Sequence, residues 1–439
     1  MNQVFQSRIS AEASAGHDPR GAEILILTGY YHPEPTGSAP PISDLSYWLA
    51  ENGARTRVLT TRPSYPRSEV TAGYRLGERD HETVNGVRVH RLPADIAPNR
   101  GMLGRFKTEF SLLLRMWAAK LAGSVKSSPY VICVCPSIFV VAAVGLFLKR
   151  GGRSLCIVHD IQSGLGSSLG FTSAGLLLGI LRRLEAWALN RCHVIVALSD
   201  EMAEEVRGLG VKRPIVVIPP QVDVRELGGL PEPAADVPAL LYSGNLGRKQ
   251  GLDQVLALAR TLLARGVRAR VIIRGEGSER AELCRQVAEE KLENVVFQDL
   301  VSRETLREAF AEGVIHLVPQ HPNGATFAVP SKLFSIMAAE RPFLATAAPN
   351  SPIAKTTKAS GGGLCVEPYN TDALADAAED LLRNPALRRR MGAAGREYVE
   401  RYVDREVACR RIWSALQAGA PAREFRAAWA LNRARSGST

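Results

Sequence analysis

Asn323-Gly324-Ala325-Thr326-Phe327-Ala328-Val329-Pro330-Ser331-Lys332-Leu333-Phe334-Ser335-Ile336-Met337-Ala338-Ala339-Glu340-Arg341-Pro342 follows an apolar run, Val314 to Val318, that reads as a buried strand. The polar, glycine-bearing segment is a loop. Pro330 and Ser331 then open a helix whose apolar positions are Leu333, Phe334, Ile336 and Met337. Pro342 ends it, and a second strand runs from Phe343 to Ala347. Strand, loop, helix N-terminus and strand form the unit with which α/β proteins hold phosphates. Loop N–H groups and the positive end of the helix attract anions, and Lys332 adds a full charge in the first turn. An ordinary strand-to-helix connection, with proline at the first helical position and a surface lysine, has the same local pattern.

Outward from this stretch the same rhythm repeats. Toward the C-terminus and back to Ala239 the expected strands are Ala239 to Ser243, Ala269 to Arg274, Asn294 to Asp299, Val314 to Val318, Phe343 to Ala347 and Leu364 to Val366, with helices between. The N-terminal half alternates in the same way, with strands at Glu23 to Thr28, Arg55 to Thr61, Val87 to Leu92, Tyr130 to Cys135, Ser154 to Asp160, His193 to Leu198 and Pro214 to Pro219, and a helix over Ile138 to Lys149. Continuous apolar strands with intervening helices predict parallel sheets covered on both faces. Arg225 to Pro238, rich in glycine and proline and without periodicity, reads as a linker. The expected organisation is a disordered lead-in (1–22), an N-terminal Rossmann-like domain (23–224), the linker (225–238), a second Rossmann-like domain (239–392), a long C-terminal helix (393–419) and a basic tail (420–439).

The chain has 439 residues, 46% of them hydrophobic and 23% charged, which is globular and long enough for two domains. No apolar run reaches the ~18–20 residues of a membrane span. Seven cysteines are scattered without zinc-type spacing and read as reduced, mostly buried thiols of a cytosolic protein. The net charge of +11 calls for an anionic partner. No nucleic-acid recognition motif is present, so nucleic acid is not the expected partner. Between Asn99 and Lys126, six cations alternate with Phe106, Phe110, Leu114, Met116, Trp117 and other apolar residues. That composition predicts a basic amphipathic helix lying on an anionic membrane surface.

Parallel sheets bind ligands beyond the carboxyl ends of their strands. The loop Gly244-Asn245-Leu246-Gly247-Arg248-Lys249-Gln250-Gly251 follows one strand, Gly275-Glu276-Gly277 the next, and Thr326 lies in the loop ahead of Ser331 and Lys332. These are candidate phosphate cradles, although none has the Walker or dinucleotide spacing. In the first half, Tyr30 to Gly37 follows the first strand, and Gly37 allows close ligand approach. His159 and Asp160 end another strand. No Asp-x-Asp metal motif occurs; Asp80-His81-Glu82 comes nearest and falls on a loop.

Tyr31-x-Pro33-Glu34-x-Thr36-Gly37, Val158-His159-Asp160-Ile161, Ala197-Leu198-Ser199, Tyr242 to Leu252, Gly275-x-Gly277, Val329-Pro330-Ser331-Lys332 and Met337-Ala338 together resemble glycosyltransferase family 4, and within it the bacterial colanic-acid and O-antigen type, including fucosyl- and N-acetylfucosaminyl-transferases. The resemblance implies the GT-B fold: two Rossmann-like α/β domains facing a central cleft, with the C-terminal helix crossing back to the first. It implies retaining transfer from a nucleotide sugar, with UDP as the expected carrier, without metal or other cofactor. The acceptor would be a lipid-linked saccharide at the inner face of the cytoplasmic membrane. By resemblance, Gly37, Asn245, Arg248, Lys249, Glu276, Thr326, Ser331 and Lys332 would hold the donor, and His159 with Asp160 would serve catalysis at the sugar. Phe327 and Ser335 stand where much of the family has two carboxylates for the ribose, so the ribose contact is unassigned. A nucleotide-sugar epimerase of the same fold is the alternative; it would need acid and base carboxylates, for which Asp160, Glu34 and Glu276 are the candidates.

Overall fold

Glu-Ile-Leu-Ile-Leu at residues 23–27 is too apolar to lie anywhere but inside, and it forms β1 (Glu23–Leu27) at the middle of an eight-stranded sheet. The computed structural model describes residues 18–34, 37–64, 70–94, 102–135, 137–161, 175–230, 233, 236–301, 305–322 and 330–418. Contacts divide the chain into two units, 1–219 with 406–439, and 220–405.

In the first unit, β1 is followed by α1 (Ala39–Glu51), β2 (Arg55–Thr61), β3 (His81–Val84), β4 (Val87–Leu92), α2 (Met102–Leu121), β5 (Ser128–Cys135), α3 (Ile138–Ala142), α4 (Val144–Phe147), β6 (Leu148–Val158), α5 (Gly175–Leu189), β7 (Val194–Ala197), α6 (Asp200–Gly208) and β8 (Ile215–Val217). The strand order is β3-β4-β2-β1-β5-β6-β7-β8, parallel except for the β3–β4 hairpin. Its second arm, β4, is the strand expected at Val87 to Leu92, while its first, β3, lies in what reads as loop from sequence. The hairpin's anchor is Arg91, buried and ion-paired to Glu82 at 2.5 Å, which also donates to the His32 carbonyl at 2.8 Å and lies over the ring of Tyr74. One buried guanidinium thus fixes the loop after β1. Two expectations are corrected. The helix predicted over Ile138 to Lys149 stops at Phe147, and Leu148 already begins β6. Residues 18–22 of the expected lead-in are tied down, with Gly21 N–H donating to Gly53 O at 2.9 Å; residues 1–17 and the basic tail 420–439 lie outside the described residues.

The second unit runs α7 (Val224–Leu227), β9 (Ala239–Ser243), a 3₁₀ turn (Arg248–Gln250), α8 (Asp253–Ala264), β10 (Arg270–Arg274), α9 (Arg280–Glu289), β11 (Val295–Gln298), α10 (Leu306–Ala311), β12 (Ile315–Pro319), α11 (Ser331–Ala338), β13 (Phe343–Thr346), α12 (Pro352–Ser360), β14 (Gly363–Val366), α13 (Thr371–Arg383) and α14 (Pro385–Tyr402). Its six strands are all parallel, in the order β11-β10-β9-β12-β13-β14. The change of unit falls at Pro219–Pro220, ahead of the expected linker, because Val224 and Leu227 of α7 are buried in the same apolar cluster as Leu333 and Phe334 of α11. Helix α14 lies against the end of α11 at glycines: a Cβ on Gly392 would sit 2.2 Å from the Glu340 carbonyl oxygen.

The single helix expected over 393–419 is two. Val403 and Asp404 break it, and the chain resumes as α15 (Arg405–Ala418). From Glu406 onward this last segment belongs to the first unit. Trp48 Nε1 donates to Glu406 at 2.6 Å, Trp413 packs edge-on against Tyr130 at 5.2 Å, and Arg411 donates to the Val217 carbonyl at 2.8 Å.

Candidate active site

The strand order of the second unit reverses between β9 and β12, and ligands of open parallel sheets bind beside such a reversal. The loop after β9 is Gly244 to Gly251, and the loop after β12 leads to Lys332. They are joined by Gln254 at the start of α8, whose buried amide donates to Gly251 O and Gln320 O and accepts from Tyr369 N–H at 2.9 Å. His321 N–H adds a bond to Lys249 O at 3.1 Å.

The loop after β10 packs on the loop after β9 backbone to backbone. Leu246 N–H donates to Glu276 O at 2.8 Å, and Glu279 N–H to Leu246 O at 2.9 Å. This approach explains the Gly-x-Gly pattern. A Cβ on Gly275 would lie 1.8 Å from Gly244 O, and one on Gly277 would lie 2.3 Å from Leu246 O. On this platform Asn245, Arg248 and Lys249 are exposed at the sheet edge. Glu276 is also exposed, but its carboxylate is held by Arg280, which in turn reaches Asp299 at 2.7 Å.

Lys332 is the unusual group. Pro330 caps α11 without a side-chain hydrogen bond, no acid stands in the first turn, and Ser331 is exposed there. The aliphatic stem of Lys332 is partly in solvent, but Nζ is sealed from it, has no hydrogen-bond partner among the described residues, and stands 3.9 Å from the centre of the Tyr242 ring. Tyr242 is fully buried and its hydroxyl donates to Asn245 O at 2.7 Å, so one side chain supports both the lysine and the glycine loop. Desolvation brings the Lys332 pKa down to about 7. The ring face favours the cation but does not replace the lost water. An ammonium without a partner is costly in such a place, and an incoming anion would supply what it lacks. Thr326 lies outside the described residues. Tyr242 has no role in the sequence reading, though it stands beside the glycine loop in the quoted motif; the alternation of β9 alone does not reveal which loop its hydroxyl reaches.

In the first unit the order reverses between β1 and β5. Gly37, after β1, has φ +72°, and nothing lies within 4 Å of where its Cβ would be, so backbone conformation rather than crowding calls for glycine. Glu34 is buried and holds the N–H groups of Tyr31 at 3.1 Å and Ser64 at 3.0 Å, which makes it a brace for this loop rather than an acid or base. After β6, His159 N–H donates to Cys135 O at 3.1 Å. The His159 ring nitrogen Nε2 is buried without a partner among the described residues, and burial takes the pKa down to about 4, so the imidazole is neutral at pH 7. Asp160 Oδ1 accepts from Ile161 N–H at 2.9 Å. The structure thus groups Asn245, Arg248, Lys249, Ser331 and Lys332 on one sheet edge of the second unit, and His159 and Asp160 on one strand end of the first.

The Asp-His-Glu segment is committed to structure, Asp80 to Arg62 at 2.7 Å and Glu82 to Arg91. Among the described residues, Cys133, Cys156 and Cys192 bring their sulfurs within 4.8 Å of one another. Sequence spacing missed this group because its members come from β5, β6 and the turn into β7. All three are fully buried, and three thiolates around a divalent ion would leave net negative charge there without a counter-cation among the ligands, so they are read as packed thiols.

Residues 36–221 match the family described as "Glycosyl transferase 4-like domain", and residues 231–398 match "Glycosyl transferases group 1". Among curated proteins, the chain is 26% identical over 407 residues to the Escherichia coli protein assigned to colanic acid biosynthesis as glycosyl transferase WcaI, covering 89% of this chain and 98% of that one. Among solved structures, sucrose-phosphate synthase from Thermosynechococcus elongatus is similar at a TM-score of 0.68 and 19% identity, covering 94% of this chain and 100% of that one. Anabaena HepE in complex with UDP-glucose is similar at a TM-score of 0.66 and 14% identity, covering 90% of this chain and 100% of that one. At these identities the structural likeness shows the fold.

Proposed function

This chain belongs to the family 4 glycosyltransferases, with the two parallel-sheet α/β domains of the GT-B fold, and on that premise we propose that it transfers a sugar, with retention at the anomeric carbon and without metal, from a UDP-linked donor to a lipid-linked saccharide. The setting is exopolysaccharide, capsule or O-antigen biosynthesis at the inner face of the cytoplasmic membrane. The observation that carries the reading is Lys332: a desolvated, unpartnered amine at the reversal of a parallel sheet, beside a glycine loop with Arg248 and Lys249.

When the donor's glycosidic bond breaks, negative charge grows on the departing nucleoside diphosphate. Lys332, Lys249, Arg248 and the open N-terminus of α11 are fixed positive groups for that charge, and Asn245 offers amide donors. They would do the work that a divalent ion does elsewhere, and Asp80 and Glu82 are taken by arginines. His159, neutral and with Nε2 unpartnered, exchanges a hydrogen bond with a sugar hydroxyl, and Asp160 stands next to it. UDP-glucose in HepE and the colanic acid role given to WcaI support the donor and the polymer class. The epimerase alternative loses two of its three carboxylates, since Glu34 braces a loop and Glu276 is held by Arg280.

The test is a thermal-shift panel of nucleotide sugars, because a ligand that binds only the folded chain raises its midpoint. It is followed by transfer assays on Lys249→Ala and Lys332→Ala, with product anomers read by NMR. Full transfer rates in both variants, or an inverted product, would refute the assignment.

A further inference from the structure

Helix α2 exposes Phe110, Leu114, Trp117 and Leu121, spaced 4, 3 and 4 residues apart and therefore on one face; Leu121 is 78% exposed. Its opposite face is buried through Leu112, Met116 and Ala119. Helix α5 repeats the pattern with Ile180, Leu184 and Trp187, the last 52% exposed. Both helices pack on the short helix α3, so the two apolar stripes flank it on one side of the first unit's sheet. Phe110 meets Phe139 of α3 at 5.7 Å between ring centres. Monomeric proteins seldom leave two such stripes open without using them.

Among the described residues, the exposed charges of the two helices and of the turns that follow them have one sign. Lys107 and Lys126 are exposed at α2, and Arg182, Arg183 and Arg191 at α5. The Arg191 guanidinium lies 5.0 Å from the centre of the Trp187 ring. The one acid of α2, Glu109, accepts from Ser137 Oγ at 3.1 Å, and the one acid of α5, Glu185, is buried. Apolar stripes with a tryptophan each and an all-positive rim suit the headgroup layer of an anionic bilayer.

We propose that α2 and α5 together form a bilayer-docking face, in which Trp117 and Trp187 enter the headgroup region and Lys107, Lys126, Arg182, Arg183 and Arg191 pair with anionic lipid. This deepens the membrane part of the proposed function by adding a second helix, and it rests on that reading only for the choice of leaflet. No helix among the described residues is long and apolar enough to cross a membrane, and docking of this kind needs none.

The experiment is co-sedimentation of the full chain with phosphatidylcholine vesicles that contain or lack phosphatidylglycerol, at low and high salt. Trp117→Ser, Trp187→Ser, the double variant, and Arg182→Glu with Arg183→Glu are compared with the parent. Binding is expected only with phosphatidylglycerol and to weaken with salt. About a tenfold loss is expected for each tryptophan and about fivefold for each cation removed, more for each reversal. Unchanged midpoints of unfolding and unchanged UDP-induced shifts confirm that the variants are folded. Equal vesicle binding by parent and double variant overturns the proposal. So does a parent dimer in light scattering that the tryptophan variants abolish, since the face would then be covered by a second copy. Vesicle binding without any UDP-induced shift would count against the proposed function and leave the docking face standing.

Discussion

If Lys332 is the diphosphate's buried partner, donor binding must draw a proton from solvent. In the free protein its amine has a pKa of about 7, against an ordinary 10.5, because Nζ is out of water over the Tyr242 ring. A bound diphosphate supplies the missing counter-charge and returns the group toward its ordinary value. At pH 8 the free amine is about 90% neutral, so binding takes up about 0.9 proton; at pH 6 it takes up about 0.1. Apparent affinity for UDP then falls about tenfold per pH unit above 7. UDP is fully ionised by pH 8, since its last phosphate pKa is about 6, so the ligand contributes little there. Isothermal titration of UDP in buffers of different ionisation enthalpy measures the uptake directly. Lys332→Met should abolish it and weaken binding by about 1.5–3 kcal/mol, the range for a hydrogen bond to a charged group. No proton uptake at pH 8 in the parent, or the same uptake in Lys332→Met, would refute the reasoning.

The same burial has a signature without ligand. The unfolded chain holds a proton on Lys332 up to its ordinary pKa while the folded chain loses it near 7, so this residue makes folding stability rise with pH between about 7 and 10.5; Lys332→Met should remove that slope in urea melts and stabilise the free protein by about 1 kcal/mol or more. His159 acts in a lower window: its folded pKa of about 4 lies below the unfolded 6.5, so its contribution to stability is present above 6.5 and is lost as pH falls toward 4, a loss that His159→Gln should not show. Being neutral throughout, His159 should leave no inflection in the rate between pH 6 and 8. Gly277→Ala drives a methyl into the Leu246 backbone at 2.3 Å and should cost about 2 kcal/mol or more, with loss of the UDP-induced thermal shift. Glu34→Gln keeps the shape of the brace but weakens its acceptors for Tyr31 and Ser64, so it should lower the midpoint of unfolding by a few degrees without changing UDP binding to the second unit.

The two α/β units, the strands at the centres of both sheets and the loops that carry the candidate donor site are legible in the order of residues alone. Those features are local: apolar runs bounded by glycine and proline, and glycines at strand ends, express themselves within ten or so residues. The resemblance in the motif from Tyr242 to Leu252 and in Pro330-Ser331-Lys332 added the family. What stayed hidden depends on residues distant in the chain. Whether Ile138 to Lys149 continues as helix or turns into β6 is decided by pairing with β5, and the register of the β3–β4 hairpin by Arg91 reaching Glu82 and His32. The break at Val403–Asp404 follows from the two units claiming opposite sides of it, Val222 bonding to Val403 O and Trp48 to Glu406. Lys332 shows the difference most clearly. Its position at a helix N-terminus can be read in order along the chain, but its state cannot. A lysine at the same place with its amine in water would keep its proton; tertiary packing against Tyr242 removes the water, and that desolvation turns a surface charge into one that waits for a phosphate.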